Sequence, residues 1–237
     1  TVSDGQGGTA TSTLTVTVTG TNDAPVAVAD TDSTGENATL NIAASQGVLA
    51  NDSDVDGGTL SVSAVNGVTG SVGQAITGSN GGTFTLNADG SYSFNPGTAF
   101  DRLAAGQTDK TQISYTVSDG QGGTATSTLT VTVTGTNDAP VITGTATGSV
   151  TEDSNVNTSG NLTASGALTA TDADNGQSGF VPGSANAAAG TLGTLAITAG
   201  GNWSYSVANS AVQYLKAGET KVENFTVSTL DGTTKTI

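Results

Sequence analysis

Carboxylate and amide side chains are concentrated at a few points of this 237-residue chain. Two D-x-D runs, Asp52–Asp54 and Asp172–Asp174, and two Asn-Asp pairs, Asn22–Asp23 and Asn137–Asp138, carry several of them. Like charges about 4 Å apart repel by about 1 kcal/mol in water and by more when shielded, so such clusters need a compensating cation. Calcium takes about six to eight oxygen ligands, which these side chains and nearby carbonyls supply. The clusters therefore predict calcium binding, and solvated turns are the alternative.

The run Asp52–Gly57 also resembles the first half of an EF-hand loop, D-x-D-x-D-G. The twelfth position of that loop is normally a bidentate Glu, but here it is Ser63. The pattern does not indicate flanking helices either. A calcium site of another kind is therefore favoured.

The overall composition argues against several classes of function. Twenty acidic residues face five basic ones, and the net charge of −15 disfavours nucleic acid and anionic membrane surfaces as partners. No apolar stretch is long enough for direct membrane insertion. The chain has no His and no Cys, so the usual general bases and thiol nucleophiles are missing and we expect no enzyme activity.

One stretch of 26 residues occurs twice without a change. Thr1–Val26 returns as Thr116–Val141, 115 positions further on. A solenoid unit is typically about 20 to 50 residues long, so this period instead suits a self-contained domain in a tandem array.

The elements that must position the acidic groups are strands. Leu129, Val131 and Val133 alternate with Thr residues, which is the period of a strand with one buried face. Residues 81–96 read as a hairpin with its turn at 87–90, and Val26–Ser33 as the first strand of a domain. Few aromatics and many Gly, Thr and Ser residues fit short β-branched strands joined by tight turns, so the sequence predicts an all-β fold.

Pro25 and Pro140 mark the domain boundaries, because proline cannot donate to a strand ladder. Residues 1–22 are predicted to be the last hairpin of a preceding repeat, residues 23–138 a complete module, and residues 139–237 a second module without its final strand. An unfilled sheet edge is a template for pairing, so residues 11–20 could complete the second module of another molecule end to end. The alternative is that both ends reflect where the sequence was divided.

Four motifs resemble the VCBS-type and cadherin-like repeats of giant bacterial RTX adhesins, which a type I system secretes. They are TVSDG at 116–120, TNDAPV at 136–141, SVTED at 149–153 and TATDADNG at 169–176. The resemblance covers essentially the whole chain and implies tandem Greek-key β-sandwiches of the Ig/cadherin-like type.

In cadherins, a linker Asn-Asp pair, a Glu above it and a D-x-D loop below it share calcium between neighbouring domains. The resemblance implies that the following residues converge at the boundary of the two modules: Glu36, Asn137, Asp138, Asp172 and Asp174. At the preceding boundary it implies an incomplete site of four residues: Asn22, Asp23, Asp52 and Asp54. Asp101 matches half of the cadherin LDRE motif, but Leu103 replaces its Glu. Asp119 and Asp231, in the last hairpin turns, are weaker candidates.

The function that this resemblance implies is mechanical. The modules are expected to be structural extenders of an adhesin on the bacterial cell surface, in adhesion and biofilm formation, with neighbouring repeats of the same chain as partners and calcium stiffening each boundary. The alternative is a module that binds a sugar or another adhesin directly, which requires exposed aromatic side chains. Trp203 and Tyr214 are the candidates for that role, although Trp203 lies in a predicted strand and is expected in the core.

Overall fold

The computed structural model describes residues 1–183 and 185–237. In this part of the chain there are seventeen β-strands, three single-turn 3-10 helices at 44–46, 69–71 and 209–211, and no α-helix. The prediction of an all-β fold is confirmed. No helix in the described ranges has the length and apolarity needed to cross a membrane.

The chain begins with a small hairpin, in which β1 (Val2–Ser3) pairs with β2 (Thr9–Ala10). Residues 11–20 follow as an exposed segment that belongs to no strand of the described structure. The strand predicted from their Thr/Val alternation is therefore absent here, although the identical residues 126–135 form most of a long strand in the first sandwich.

The first sandwich comprises strands β3 to β10 in two sheets. One sheet has the order β3-β10-β9-β5, formed by Asp30–Gly35, Thr124–Thr134, Thr108–Ser118 and Ser61–Val65. The other has the order β4-β8-β7-β6, formed by Leu40–Ile42, Tyr92–Asn95, Thr83–Leu86 and Ala75–Thr77. All neighbours are antiparallel except β3, which runs parallel to β10.

The core of the first sandwich follows from the alternation of its strands. Leu129, Val131 and Val133 of β10 are fully buried between the sheets, while the Thr residues between them face outward and are half-buried. The predicted hairpin at 81–96 is present as β7 and β8, and it contributes Phe84 and Phe94, whose rings are 4.5 Å apart. Fifteen buried residues form one continuous cluster among the described residues.

The second sandwich comprises β11 to β17. One sheet has the order β11-β12-β15-β14, formed by Val141–Gly144, Asn161–Thr171, Asn202–Ala208 and Thr194–Ile197. The other has the order β13-β16-β17, formed by Asn186–Ala187, Phe225–Ser228 and Thr234–Thr236. All of these pairs are antiparallel.

In the second module, the three residues of β17 pair with β16 at the position where the eleven-residue β10 begins in the first sandwich, so β17 corresponds to the start of that final strand. One expectation about strand limits needs correction. The first strand of the first module was predicted from Val26, but β3 starts at Asp30 and Val26 makes only an isolated bridge to Ser53. The reason is that the N–H group of Val28 donates to the Asp52 carboxylate, 2.8 Å away, instead of to a ladder.

Candidate metal centre at the boundary between the sandwiches

The strand pairing brings Glu36 to the linker between the two sandwiches. Because β3 runs parallel to β10, with Gly35 opposite Thr134, both strands end at the same edge. Glu36 follows β3 directly, and its N–H group donates to the carbonyl of Thr134 at 2.9 Å. Glu36 is thus held beside Thr136, which lies 100 positions later in the chain.

The Glu36 carboxylate is 1% exposed and only half used. Its Oε1 accepts hydrogen bonds from the N–H of Thr136 at 2.6 Å and from the hydroxyl of Thr136 at 2.7 Å. Its Oε2 is buried and has no hydrogen-bond partner among the described residues. Burying a polar atom unpaired costs about 1–3 kcal/mol, and more for a charged one, so this oxygen is a candidate ligand for a cation.

The second sandwich contributes its own carboxylates to the same edge. Strand β12 is antiparallel to β11, with Thr171 opposite Val141, so the loop after β12 lies next to the linker. In that loop, Asp174 accepts a hydrogen bond from the N–H of Asp138 at 3.0 Å, and the N–H of Asp174 donates to Asp172 at 2.9 Å. Asp172 Oδ2 and Asp174 Oδ1 are buried without a partner in the described chain.

The electrostatics indicate that these carboxylates share one region. Partial burial raises the pKa of Asp138, and the negative charges of neighbouring carboxylates raise it further. These neighbours are Glu36, Asp174, Asp101 and Asp172. Asp101, Asp138 and Asp172 also line one open pocket. Beside it, the N–H of Asn175 donates to the carbonyl of Arg102 across the boundary at 3.0 Å.

The donor set fits a calcium ion, although the side chains do not converge tightly on one point. Within the described ranges, no three acidic side chains form a ready-made metal cluster. Even so, five buried carboxylate oxygens in those ranges lack partners, and all belong to residues that the sequence analysis selected: Glu36, Asp52, Asp54, Asp172 and Asp174. Unpaired buried polar atoms are rare in folded proteins.

The hydrogen-bond pattern at the boundary before the first sandwich repeats that at the boundary between the two sandwiches. The N–H of Asp23 donates to Asp56 at 2.6 Å, and the N–H of Asp56 donates to Asp54 at 2.9 Å. This pattern matches that of Asp138, Asp174 and Asp172. The sequence analysis selected Asp52 and Asp54 and passed over Asp56, but Asp54 and Asp56 are the structural counterparts of the second loop. The register at the linker shows this, because Val26 bridges Ser53 just as Val141 pairs with Thr171.

Asp52 belongs to a different environment. Its Oδ1 accepts from Val28, and burial raises its pKa. Burial likewise raises the pKa of Asp30, with a further contribution from the charge of Asp52. Asp30 in turn accepts a hydrogen bond from the hydroxyl of Tyr115 at 2.6 Å. Asp52 therefore lies toward this tyrosine and away from the linker pattern.

The two weaker candidates have a different role. Asp119 accepts from the amide of Asn22 at 2.8 Å, and Asp231 accepts from the amide of Asn137 at 3.4 Å. Both oxygens of each carboxylate already bind protein donors from their own turns. They hold the linker asparagines in place, so that each Asn carbonyl oxygen faces away from them.

The aromatic candidates for direct ligand binding are separated by the fold. Trp203 is 3% exposed, and its indole N–H donates to the carbonyl of Thr145 at 2.7 Å. It is a core residue, as expected from its place in a strand. Tyr214 is 61% exposed.

Comparison with known proteins places the chain in a family. The model of the bacterial cadherin-like domain matches residues 22–135 and again residues 137–237. The chain belongs to the bacterial cadherin-like domain family. This part of the resemblance inferred from the sequence motifs is confirmed. No curated protein matches the chain.

Solved structures similar to these bacterial cadherin-like domains are cadherin ectodomains. PcdhgB3 EC1-4 is 15% identical, with a TM-score of 0.51 over 90% of this chain and 48% of its own. Protocadherin Gamma B2 domains 3-6 are 13% identical (TM-score 0.49; 90% and 45% covered), and mouse Cadherin-23 EC22-24 is also 13% identical (TM-score 0.46; 92% and 65% covered). The chain spans about half the length of the first of these structures. At this identity, the first similarity supports the β-sandwich fold alone.

Proposed function

We propose that these domains are extenders of an extracellular bacterial adhesin and that calcium ions bound at each boundary stiffen the array. The observation that carries the proposal is the set of unpaired buried oxygens at the boundary, on Glu36, Asp172 and Asp174. They come from both sandwiches, so calcium bound to them would tie the two sandwiches together. The VCBS-like motifs support an RTX adhesin on the cell surface, with a part in biofilm formation, as the parent protein.

In this mechanism, the first sandwich would hold the ion through Glu36 and the second through Asp172 and Asp174. The linker would add Asn137 and Asp138, and Asp101 would complete the set from the turn before β9. Calcium supplies the positive charge that offsets the repulsion among these groups. Because the bound state requires both sandwiches in one arrangement, ligand binding shifts the population of orientations toward that arrangement.

Small-angle X-ray scattering of this chain tests the proposal. We expect a longer, stiffer particle in millimolar calcium and a flexible one after chelation. The double variant Asp172→Asn, Asp174→Asn should give the flexible profile in both conditions. Asp89→Asn, in an exposed hairpin turn, removes one negative charge away from the boundary and should behave like the unmodified chain. Profiles that do not change on chelation, with both sandwiches folded, would reject calcium stiffening.

Direct ligand recognition predicts a different result. If these domains were the adhesive tip, the chain would bind to a glycan or to immobilised copies of itself through an aromatic surface. Trp203 is unavailable for this because it lies in the core. We therefore expect no signal on a glycan array in calcium. A Tyr214-dependent signal would favour the ligand-binding function instead.

A further inference from the structure

Three asparagine–glycine pairs occur in the chain, at Asn66–Gly67, Asn80–Gly81 and Asn175–Gly176. Such a pair can rearrange without an enzyme, because glycine has no side chain to shield its backbone nitrogen from the preceding asparagine. The reaction needs two free groups. The asparagine amide must be able to rotate toward the next residue, and the glycine N–H must not be held in a hydrogen bond. The fold therefore decides which pair reacts.

The first pair is held by its hairpin turn. Asn66 has a φ of 49°, and its Oδ1 accepts hydrogen bonds from the N–H of Ser114 at 2.9 Å and from the hydroxyl of Ser114 at 3.3 Å. The N–H of Asn66 also donates to the carbonyl of Ser114 at 2.8 Å. Rotating the amide toward Gly67 would break its contacts with the neighbouring strand.

The second pair is held on both sides of the bond. Asn80 Nδ2 donates to the carbonyl of Lys110 at 2.8 Å and to the carboxylate of Asp109 at 3.4 Å. The N–H of Gly81, which would have to attack, donates to the carbonyl of Gly78 at 3.1 Å. Both reacting groups of this pair are occupied, so the reaction here requires local opening of the structure.

The third pair has both reacting groups free. Asn175 is exposed, and its side chain makes no hydrogen bond to a described residue. The N–H of Gly176 also has no partner in the described chain, and no neighbouring heavy atom lies within 4 Å of the point where a Cβ of Gly176 would be. The N–H of Asn175 donates to the carbonyl of Arg102 at 3.0 Å, which fixes the backbone and leaves the side chain free to rotate.

We propose that Asn175–Gly176 is a site of spontaneous deamidation in the loop that carries Asp172 and Asp174. The Gly176 nitrogen loses its proton to water and attacks Cγ of the Asn175 side chain. The new N–Cγ bond closes a succinimide ring, and the Cγ–Nδ2 bond breaks as the side-chain nitrogen takes up a proton and leaves as ammonia. One water molecule then opens the ring at either carbonyl, which gives aspartate or isoaspartate at position 175. The net change is hydrolysis of one amide, without oxidation or reduction.

The modification would change the loop in two ways. It replaces a neutral amide by a carboxylate next to Asp174, and isoaspartate also adds one carbon to the path of the backbone. Two hydrogen bonds span the modified bond: the N–H of Gln177 donates to the carbonyl of Asp174 at 3.2 Å, and the N–H of Asp172 donates to the hydroxyl of Ser178 at 3.1 Å. A longer backbone displaces both. The effect on calcium binding rests on the proposed function, whereas the deamidation does not.

Incubation of the freshly purified chain in chelator at mildly alkaline pH, with and without urea, tests the site. Peptide mass spectrometry follows the asparagine, aspartate and isoaspartate forms of each pair. In urea the three pairs should react at similar rates, because the chain is unfolded. Without urea, Asn175 should keep most of that rate, whereas Asn66 and Asn80 should react at least about tenfold more slowly, since both first require local opening.

The variant Asn175→Gln is the matched control, because its longer side chain would have to close a larger ring that forms more slowly. It should abolish the modification at position 175 and leave the rates at Asn66 and Asn80 unchanged. Two results would overturn the inference: a folded chain in which Asn175 is protected as strongly as the other two, or one in which Asn66 or Asn80 reacts first.

Calorimetric titration of the fresh and the aged chain with calcium separates this inference from the proposed function. Weaker calcium binding by the aged chain would support both. A fresh chain that binds no calcium but still deamidates at Asn175 would reject calcium stiffening alone and support the modification site.

Discussion

At the scale of single residues, the two oxygens of the buried Glu36 carboxylate have different environments. One of its oxygens fixes the linker through Thr136, and the other has no partner in the described chain. The hydrogen bonds of Oε1 hold the carboxylate in position, and Oε2 remains available to bind a cation. Buried carboxylates normally have both oxygens satisfied, so this asymmetry is typical of a ligand and not of a structural hydrogen bond.

Replacing Glu36 by Gln should therefore have opposite effects with and without calcium. Without calcium, the neutral isostere keeps an oxygen for Thr136 and removes repulsion from Asp138, so the free energy of unfolding should rise by about 1 kcal/mol. With calcium, the lost charge should weaken binding at least tenfold, about 1.4 kcal/mol. Thermal unfolding and calorimetric titration measure the two effects. The control Asp89→Asn should change neither by much, and equal effects in both variants would contradict this role for Glu36.

Glu223 gives a pH prediction that does not involve calcium. Partial burial opposes its ionisation, but donors from Leu192, Tyr205 and Gly193 outweigh burial and lower its pKa below the ordinary 4.5. A depressed folded-state pKa stabilises the fold above the unfolded pKa, and the contribution is lost as pH falls through the folded value.

We therefore expect Glu223→Gln to cost about 1 kcal/mol near pH 7, after allowance for solvent screening. The difference between the two chains should shrink as the pH falls below the ordinary Glu pKa of 4.5 and disappear below the lowered pKa of Glu223. Chemical denaturation in chelator at a series of pH values measures it. A difference that is constant with pH would mean that shape, and not charge, accounts for the effect of Glu223.

At the scale of elements, one sequence adopts two structures. Residues 126–135 are mainly strand because β3 and β9 supply partners on both sides and the second sheet covers one face. Residues 11–20 have neither partners nor cover in the described chain, and they form no strand. Period-two alternation therefore states which face would be buried, and the neighbours decide whether the strand forms.

A pair of identical substitutions tests this difference. Leu129→Ala should cost about 2–5 kcal/mol, because it leaves a cavity in the continuous core of the first sandwich. Leu14→Ala, at the same position of the repeated sequence, should change the free energy of unfolding by less than about 0.5 kcal/mol at concentrations where the chain is monomeric. Urea denaturation in calcium measures both. Similar costs at the two positions would show that residues 11–20 pack within their own molecule.

At the scale of the whole molecule, calcium binding should couple to stability as well as to shape. Several carboxylates of the chain, whose net charge is −15, lie at the boundaries of the sandwiches. A site that binds only the folded state adds RT ln(1 + [L]/Kd), about 2.7 kcal/mol when free calcium is about 100 times the dissociation constant. The free energy of unfolding of the metal-free molecule is expected to be lower by the same amount.

Raising free calcium should therefore raise the unfolding temperature progressively. For each saturated site, the free energy of unfolding should rise by about 1.4 kcal/mol per tenfold increase in free calcium. Magnesium at equal ionic strength should raise it less, because magnesium prefers about six ligands in strict octahedral geometry and keeps its waters. Scanning calorimetry measures both series. Identical shifts for the two ions would indicate general charge screening and not a specific site.

The sequence alone determined the features that depend on local order. The 26-residue repeat marked a tandem array, the alternation of Thr with Val and Leu marked strands, and the Asn-Asp and D-x-D runs marked the boundary. These features persist because side-chain periodicity, turn chemistry and charge density are properties of neighbouring residues. The all-β fold and the core position of Trp203 followed from them.

The tertiary structure decided whatever depends on residues far apart in the chain. It paired Glu36 with Thr136, 100 positions away, and it left residues 11–20 exposed. It also made Asp54 and Asp56 the counterparts of Asp172 and Asp174, which the D-x-D spacing did not distinguish from the pair Asp52 and Asp54. In each case the outcome depends on which strands meet and where their ends coincide. Those contacts arise between distant segments, so local sequence patterns do not specify them.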